Sequence, residues 1–203
     1  MKRGMKKRGS TLLELMFAVA IMTIVMGTLF TLSFSIGDTA QLQDVKITNI
    51  DEGRRALLGI VPRVRQAHRP SVNFEDLPSD VLRFRMPEDI DDNGLAIDRF
   101  NTLELGDEII IRRDNDDLNK DGVAASQLIM IQGETITVLA NELSPDEGPD
   151  PDWEGNGEPP ENTAGFWVEV VSGRLTVTIR TVGTTRRGQE IGQQFTQIVE
   201  PRN

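Results

Sequence analysis

Two hydrophobic patterns lie end to end in the first third of the chain. From Leu15 to Ile36, 22 consecutive residues carry no charge. As a helix rising ~1.5 Å per residue they span roughly 33 Å, enough to cross a hydrocarbon core of ~30 Å. Thr23, Thr28, Thr31, Ser33 and Ser35 interrupt the run. They are tolerable there, because a helical hydroxyl can bond back to a carbonyl one turn earlier. Beyond Gly37 and Asp38 the pattern changes. Leu42, Val45, Ile50, Leu57, Ile60 or Val61, Val64 and Ala67 recur at three- to four-residue or whole-turn intervals. Asp44, Lys46, Asp51, Glu52, Arg54, Arg55, Arg63 and Arg65 occupy the opposite face. This spacing predicts an amphipathic helix that stops near His68-Arg69-Pro70. Gly59 and Pro62 fall inside it and predict a kink or break.

The remainder reads as strands and polar loops. Val81–Met86, Glu134–Leu139 and Arg174–Arg180 alternate, while Glu108–Arg112 and Gln127–Ile131 are short apolar runs of the buried-strand type. Phe166–Val171 joins the Arg174 strand through Ser172-Gly173, a hairpin signal, and Gln132-Gly133 before Glu134 marks another. The expected fold class is α+β: a long N-terminal helix packed on one antiparallel sheet of about six strands. Its expected divisions are a leader (1–9), a membrane half of the helix (10–37), an amphipathic half (38–68) and a β-rich globular domain (69–203).

Charge sharpens this picture at the N-terminus. Lys2, Arg3, Lys6, Lys7 and Arg8 precede Gly9 with no acidic residue among them. They predict a cytoplasmic N-terminus and a translocated C-terminal domain. Loss of those five basic residues would take the formal net charge from −10 to −15. So acidic a product is a poor general binder of nucleic acid. A secretory signal peptide also pairs a basic with an apolar region, yet its apolar part is shorter, about 7–15 residues. Ser35-Ile36-Gly37 is the nearest approach to its cleavage site. Glu14, at the entrance of the apolar segment, argues further against it. An ionisable group at that depth is costly and is usually retained for a partner.

Lys6-Lys7-Arg8-Gly9-Ser10-Thr11-Leu12-Leu13-Glu14 resembles the signal of type IV pilins and type II secretion pseudopilins. The resemblance implies a prepilin peptidase that cuts after Gly9, methylation of the new N-terminal Ser10, and Glu14 as the fifth residue of the mature chain. Most members have Phe where Ser10 stands, a departure that bears on methylation rather than on cleavage. It also implies assembly with other pilin or pseudopilin subunits on an inner-membrane platform, the N-terminus cytoplasmic and the domain periplasmic. Independently of the family, a carboxylate on a bilayer helix needs a counter-charge, and the amine freed at Ser10 is the natural one. Between neighbouring subunits that pair would set a fixed axial step, a use better attested for buried ion pairs than stabilisation. Arg54–Leu58 to Arg65–Ala67, Leu82–Arg85 and the terminal Pro201-Arg202-Asn203 resemble, more loosely, the larger minor pilins and the J-type minor pseudopilins.

Two acidic loops raise a question of metal. Asp117, Asn119 and Asp121 before Gly122, and Asp89, Asp91 and Asn93 before Gly94, each fit the first half of a calcium loop. Leu128 and Phe100 stand where the bidentate acid at the twelfth position belongs. Asp98 for the Asp89 loop, and Asp114 or Asp116 for the Asp117 loop, are possible replacements. All these donors are oxygens, which favours Ca2+ over zinc; the competing reading is ordinary turns, which use the same residue types. A further acidic, Pro- and Gly-rich stretch, 144–162, reads as a mobile loop in which Trp153 either anchors the loop, the favoured reading, or meets a partner. His68, the sole histidine, reads as a cation at the helix end. With no Cys, no HExxH, no nucleophile elbow and no phosphate loop, an assembly subunit is expected rather than an enzyme. The alternatives are a DNA-uptake minor pilin, using a patch around Arg180, Arg186 and Arg187, and a membrane-anchored binding protein unrelated to pili.

Overall fold

The structure, a computed structural model, describes residues 12–123, 125–145 and 164–202. The chain divides into two compact units, one ending at Gln43 and the other running Asp44–Asn203. A single helix, α1 (Leu12–Gln66), contributes to both.

In the first unit the helix is helical because nothing opposes it: no proline, one glycine in its apolar run, and hydroxyls that satisfy carbonyls of the preceding turn. Thr23 donates to the Val19 carbonyl (2.8 Å), Thr28 to Val25 (2.8 Å) and Thr31 to Gly27 (2.9 Å), as the apolar setting requires.

In the second unit α1 buries Asn49, Glu52, Gly53, Ala56, Ile60 and Val64. This face is rotated from the one expected. Ile50 and Leu57 are only partly covered, whereas Glu52, assigned by its charge to the solvent side, is 7% exposed. Its Oε2 accepts the Asn141 N–H (2.8 Å) and its Oε1 pairs with Arg55 (3.1 Å). Asn49 donates through Nδ2 to the Ile191 carbonyl (2.6 Å), and its own carbonyl accepts the Thr181 hydroxyl (3.0 Å). Gly53 sits under the Phe195 ring with no room for a Cβ. The face is therefore built around a backbone approach and two polar anchors as well as aliphatic side chains.

The expected break at Pro62 does not occur; α1 continues to Gln66. Pro62 offers no N–H to the Leu58 carbonyl one turn back, but Leu58 lies on the exposed side, where water can serve. One residue further on, the Arg63 guanidinium donates to the Gly59 carbonyl (2.7 Å). Ile60 and Val64, both fully buried, hold this last stretch against the core.

After two short 3-10 turns (Arg69–Ser71 and Phe74–Asp76) come seven strands among the described residues. They are β1 (Val81–Pro87), β2 (Leu105–Arg113), β3 (Leu128–Gln132), β4 (Thr135–Ala140), β5 (Phe166–Val171), β6 (Arg174–Thr184) and β7 (Glu190–Val199). The single sheet expected is two sheets: β1-β2-β3-β4 and β5-β6-β7, each antiparallel. Isolated bridges, Ser79 to Val168 and Leu143 to Thr181, tie one sheet to the other. The β5–β6 hairpin turns on Ser172 (φ 53°) and Gly173 (φ 77°), both left-handed, the pair a two-residue loop demands.

One core joins the layers. Leu82, Phe84, Ile109, Ile111 and Leu128 come from the first sheet, and Phe166, Val168, Leu175, Val177 and Ile179 from the second. Both meet Ala56, Ile60 and Val64 of α1. The chain then returns to the helix end: Arg202 N–H donates to the Ala67 carbonyl (3.1 Å), and Arg69 N–H to that of Arg202 (2.9 Å).

Candidate assembly segment and acidic loops

The N-terminal segment exposes what a soluble protein hides. Leu12, Leu13, Leu15, Met16, Phe17, Val19, Ile21, Met22, Ile24, Val25, Met26, Leu29, Phe30, Leu32, Phe34 and Ile36 are each about half exposed or more. Contiguous apolar surface on that scale marks a lipid or protein contact. The helix is long and apolar enough to cross a membrane. Glu14 stands in its first turn, the one acidic residue there. Gly9 and Ser10 lie outside the described residues, so the cleavage and methylation positions carry no geometry.

The two acidic loops differ once folded. Around Asp117, the loop spends its oxygens on its own donors. Both Asp117 carboxylate oxygens face Gly122 N–H (3.2 Å), and Asn119 Oδ1 accepts Asp121 N–H (3.1 Å). Asp121 accepts Gln127 Nε2 (2.8 Å), Asn119 Nδ2 (3.1 Å) and Val123 N–H (2.8 Å). Those contacts, Gln127 foremost, hold its carboxyl below the usual carboxylate range. A carboxyl with a lowered folded-state pKa stabilises above its unfolded value and loses that contribution as pH falls through the folded one. Fully buried Asp114 closes the loop by accepting Leu118 N–H (2.8 Å), while Asp116 pairs with Arg112 (3.1 Å). Neither replacement acid joins Asp117.

Around Asp89 the oxygens also meet loop donors: Asp89 accepts Asn93 and Gly94 N–H (3.0 and 2.7 Å), Asp91 accepts Asn93 N–H (3.2 Å) and Glu104 accepts Ile90 N–H (2.7 Å). Here, however, three carboxylates converge. Asp89 and Asp91 come together with Glu104, one carboxylate oxygen from each lying within 4.8 Å of the others. Asn93 Oδ1 is taken by Leu95 N–H (2.8 Å), and Asp98 caps its own turn by accepting Phe100 and Thr102 N–H (2.8 Å each). Glu104 thus stands where Asp98 was expected. Sequence reading missed it because it lies 13 residues past Asp91, just ahead of β2; the loop's return brings it back. Gly94 (φ 83°) supplies the sharp turn, as Gly122 (φ 84°) does in the other loop. Trp153 and most of the third acidic stretch fall outside the described residues. Of the arginines named for DNA, Arg180 is half-buried and Arg186 and Arg187 are exposed at the β6–β7 turn.

Residues 4–30 match the family model described as the prokaryotic N-terminal methylation motif. No curated protein and no solved structure matches the chain. The matched stretch contains Gly9, Ser10 and Glu14 and runs to Phe30 of the exposed helix. Such a motif entails processing by a prepilin peptidase and assembly with other pilins in general. Residues 4–30 thus carry the N-terminal signal of type IV pilin-like, pseudopilin-type proteins.

Proposed function

We propose that the chain is a minor pilin or pseudopilin subunit without catalytic activity. It is cut after Gly9, methylated at Ser10 and held as a single pass in the bacterial inner membrane with its N-terminus cytoplasmic and its domain periplasmic. From there it assembles through α1 into the near-tip complex of a type II secretion pseudopilus or type IV pilus. One observation carries the reading: the methylation motif overlies a helix whose apolar side chains find no cover within their own unit, with Glu14 in the first turn. The reading makes the mature protein begin at Ser10. Intact-mass analysis of protein from native membranes will show loss of residues 1–9, with one added methyl on the new amine. Cleavage near residue 37 instead would mark a secretory signal and end the pilin reading.

We further propose that Asp89, Asp91 and Glu104 take up Ca2+, supported by the convergence of three oxygen donors. A ligand bound only by the folded state stabilises it by about 2.7 kcal/mol at a hundred times its dissociation constant. Detergent-solubilised full-length chain will therefore unfold at a higher temperature in millimolar calcium than in chelator. Asp91→Asn and Glu104→Gln will each reduce the difference, and Asp117→Asn will not. No shift in the parent protein would leave the loop an ordinary turn.

A further inference from the structure

Sheet edges present rows of unpaired N–H and C=O groups, and proteins usually close them. Here the edges are treated unequally. Beside β1, Asn73 N–H and His68 N–H donate to the Arg83 and Arg85 carbonyls (both 3.1 Å). Asn73 Oδ1 and Ser71 Oγ accept the Arg83 and Arg85 N–H groups (2.8 and 3.0 Å). Beside β5, Ser79 exchanges both backbone bonds with Val168 (2.8 and 2.9 Å). Among the described residues β4 is open but only six residues long. Among the same residues β7 is the long open edge, ten residues paired to β6 without a register shift.

Which groups of β7 face outward follows from the ladder. Arg180 N–H donates to the Gly165 carbonyl, so even-numbered residues of β6 point to the β5 side and odd-numbered ones to β7. Leu175, Val177, Ile179, Thr181 and Gly183 therefore bond Val199, Gln197, Phe195, Gln193 and Ile191. The N–H and C=O groups of Glu190, Gly192, Gln194, Thr196 and Ile198 are left aimed away from the sheet. Two of these carbonyls are touched only by adjacent side chains, Gln193 Nε2 on Gly192 (2.9 Å) and Gln197 Nε2 on Ile198 (3.2 Å). None of the usual guards is present: Glu190–Val199 contains no Lys, Arg or Pro and no bulge.

We propose that β7 of one copy pairs antiparallel with β7 of a second copy, centred on Gln194, joining two three-stranded sheets into one of six. This goes beyond assembly through α1 and does not depend on it. The centre at Gln194 is the register that engages all five outward residues: Glu190 opposite Ile198, Gly192 opposite Thr196, Gln194 opposite itself. No like charges face each other, because the strand is uncharged between Glu190 and Glu200. Continuing the register sets the turn with Arg186 and Arg187 beside Glu200 of the second copy. A two-fold of this kind uses the same patch on both copies, which a self-complementary strand satisfies.

The absence of native cysteine makes the test direct. Full-length Gln194→Cys in detergent, mildly oxidised, will form a disulfide dimer, since facing residues of an antiparallel hydrogen-bonded pair stand ~5.5 Å apart at Cα. Adding Thr196→Pro removes an outward N–H without touching a backbone bond to β6; the one side-chain bond lost is the long Thr178–Thr196 hydroxyl contact (3.4 Å). Cross-linking will fall by about tenfold or more as paired bonds are lost, with the thermal unfolding midpoint little changed. Gln193→Cys, on the other face of the strand, will cross-link poorly. The proposal is overturned if Gln194→Cys gives no dimer, if the dimer persists with Thr196→Pro, or if the cysteine couples to a different subunit. Glu14→Gln will leave this dimer intact, which separates its failure from that of the pilin reading.

Discussion

Glu14→Gln will leave the chain inserted in the membrane, folded and cut after Gly9, yet unable to capture a neighbouring subunit. The amide keeps the size and hydrogen bonding of the acid and removes its charge. Insertion survives because the substitution takes an ionisable group out of an apolar stretch, and that stretch lacks any other charge from Leu15 to Ile36. Processing survives because the cut precedes assembly. Association fails because a neighbour's N-terminal ammonium would enter the helical bundle without its counter-charge. Removing one partner of a buried pair typically costs about 3–5 kcal/mol, roughly a hundredfold or more in affinity. A cross-linking or pull-down assay for partner subunits, run beside a processing blot, reads both halves of the expectation. Normal partner capture and normal pilus or secretion output by the variant would remove the acid from this role. The same logic keeps the subunit off the outermost position, where no neighbour's amine arrives.

Pro62→Ala will stabilise the unit Asp44–Asn203. Proline inside a helix loses one backbone bond and crowds the carbonyl four residues back, a cost of about 3 kcal/mol. Its restriction of the unfolded chain returns about 0.4–1 kcal/mol of that. With α1 already continuous through residue 62 and the site exposed, alanine restores the bond to Leu58 without disturbing Ile60 or Val64. The net gain is about 2 kcal/mol, a rise of about 4–8 °C in the unfolding midpoint for a unit of this size. Calorimetry on the full-length protein checks it. A lower midpoint would mean that the proline shapes the last turn in a way the neighbouring packing needs. An unchanged midpoint with faster degradation in cells would point instead to a role in the unfolded chain.

The first six strands were legible for different reasons: Val81–Met86, Glu134–Leu139 and Arg174–Arg180 alternate, Glu108–Arg112 and Gln127–Ile131 are short apolar runs, and Phe166–Val171 leads into the Ser172-Gly173 hairpin signal. β7 was not. Glu190–Val199 places Gln193 and Gln197 on its inward side, and as a partly exposed edge it needs little apolar content to pair. Nor was the division into two sheets, which depends on where Ser79 and Leu143 cross between layers rather than on any residue's own preference. On the helix, charge misled: Glu52 is buried because Asn141 N–H needs an acceptor, and no period of apolar residues reveals that. The N-terminal motif over residues 4–30 was readable because the signal is local and linear. Glu104 was not, because only the folded loop sets it beside Asp89 and Asp91.

The docking of α1 on the last two strands has a consequence for the order in which the chain becomes native. Asn49 must wait 142 residues for the Ile191 carbonyl, and Thr181 closes on Asn49 across 132. A ribosome delivers the helix first, at about 5–20 residues per second, so this face stays open for roughly ten seconds or more before its partners exist. Contacts so distant in sequence close slowly even once the chain is free, since the loop between them must first be drawn in. This stretch of the helix is among the first parts made and among the last to be seated. During that interval the Asn49–Gly53 stretch is available to any chaperone or membrane surface nearby, and truncation before residue 190 would remove the Ile191 carbonyl and the Phe195 ring that cover it.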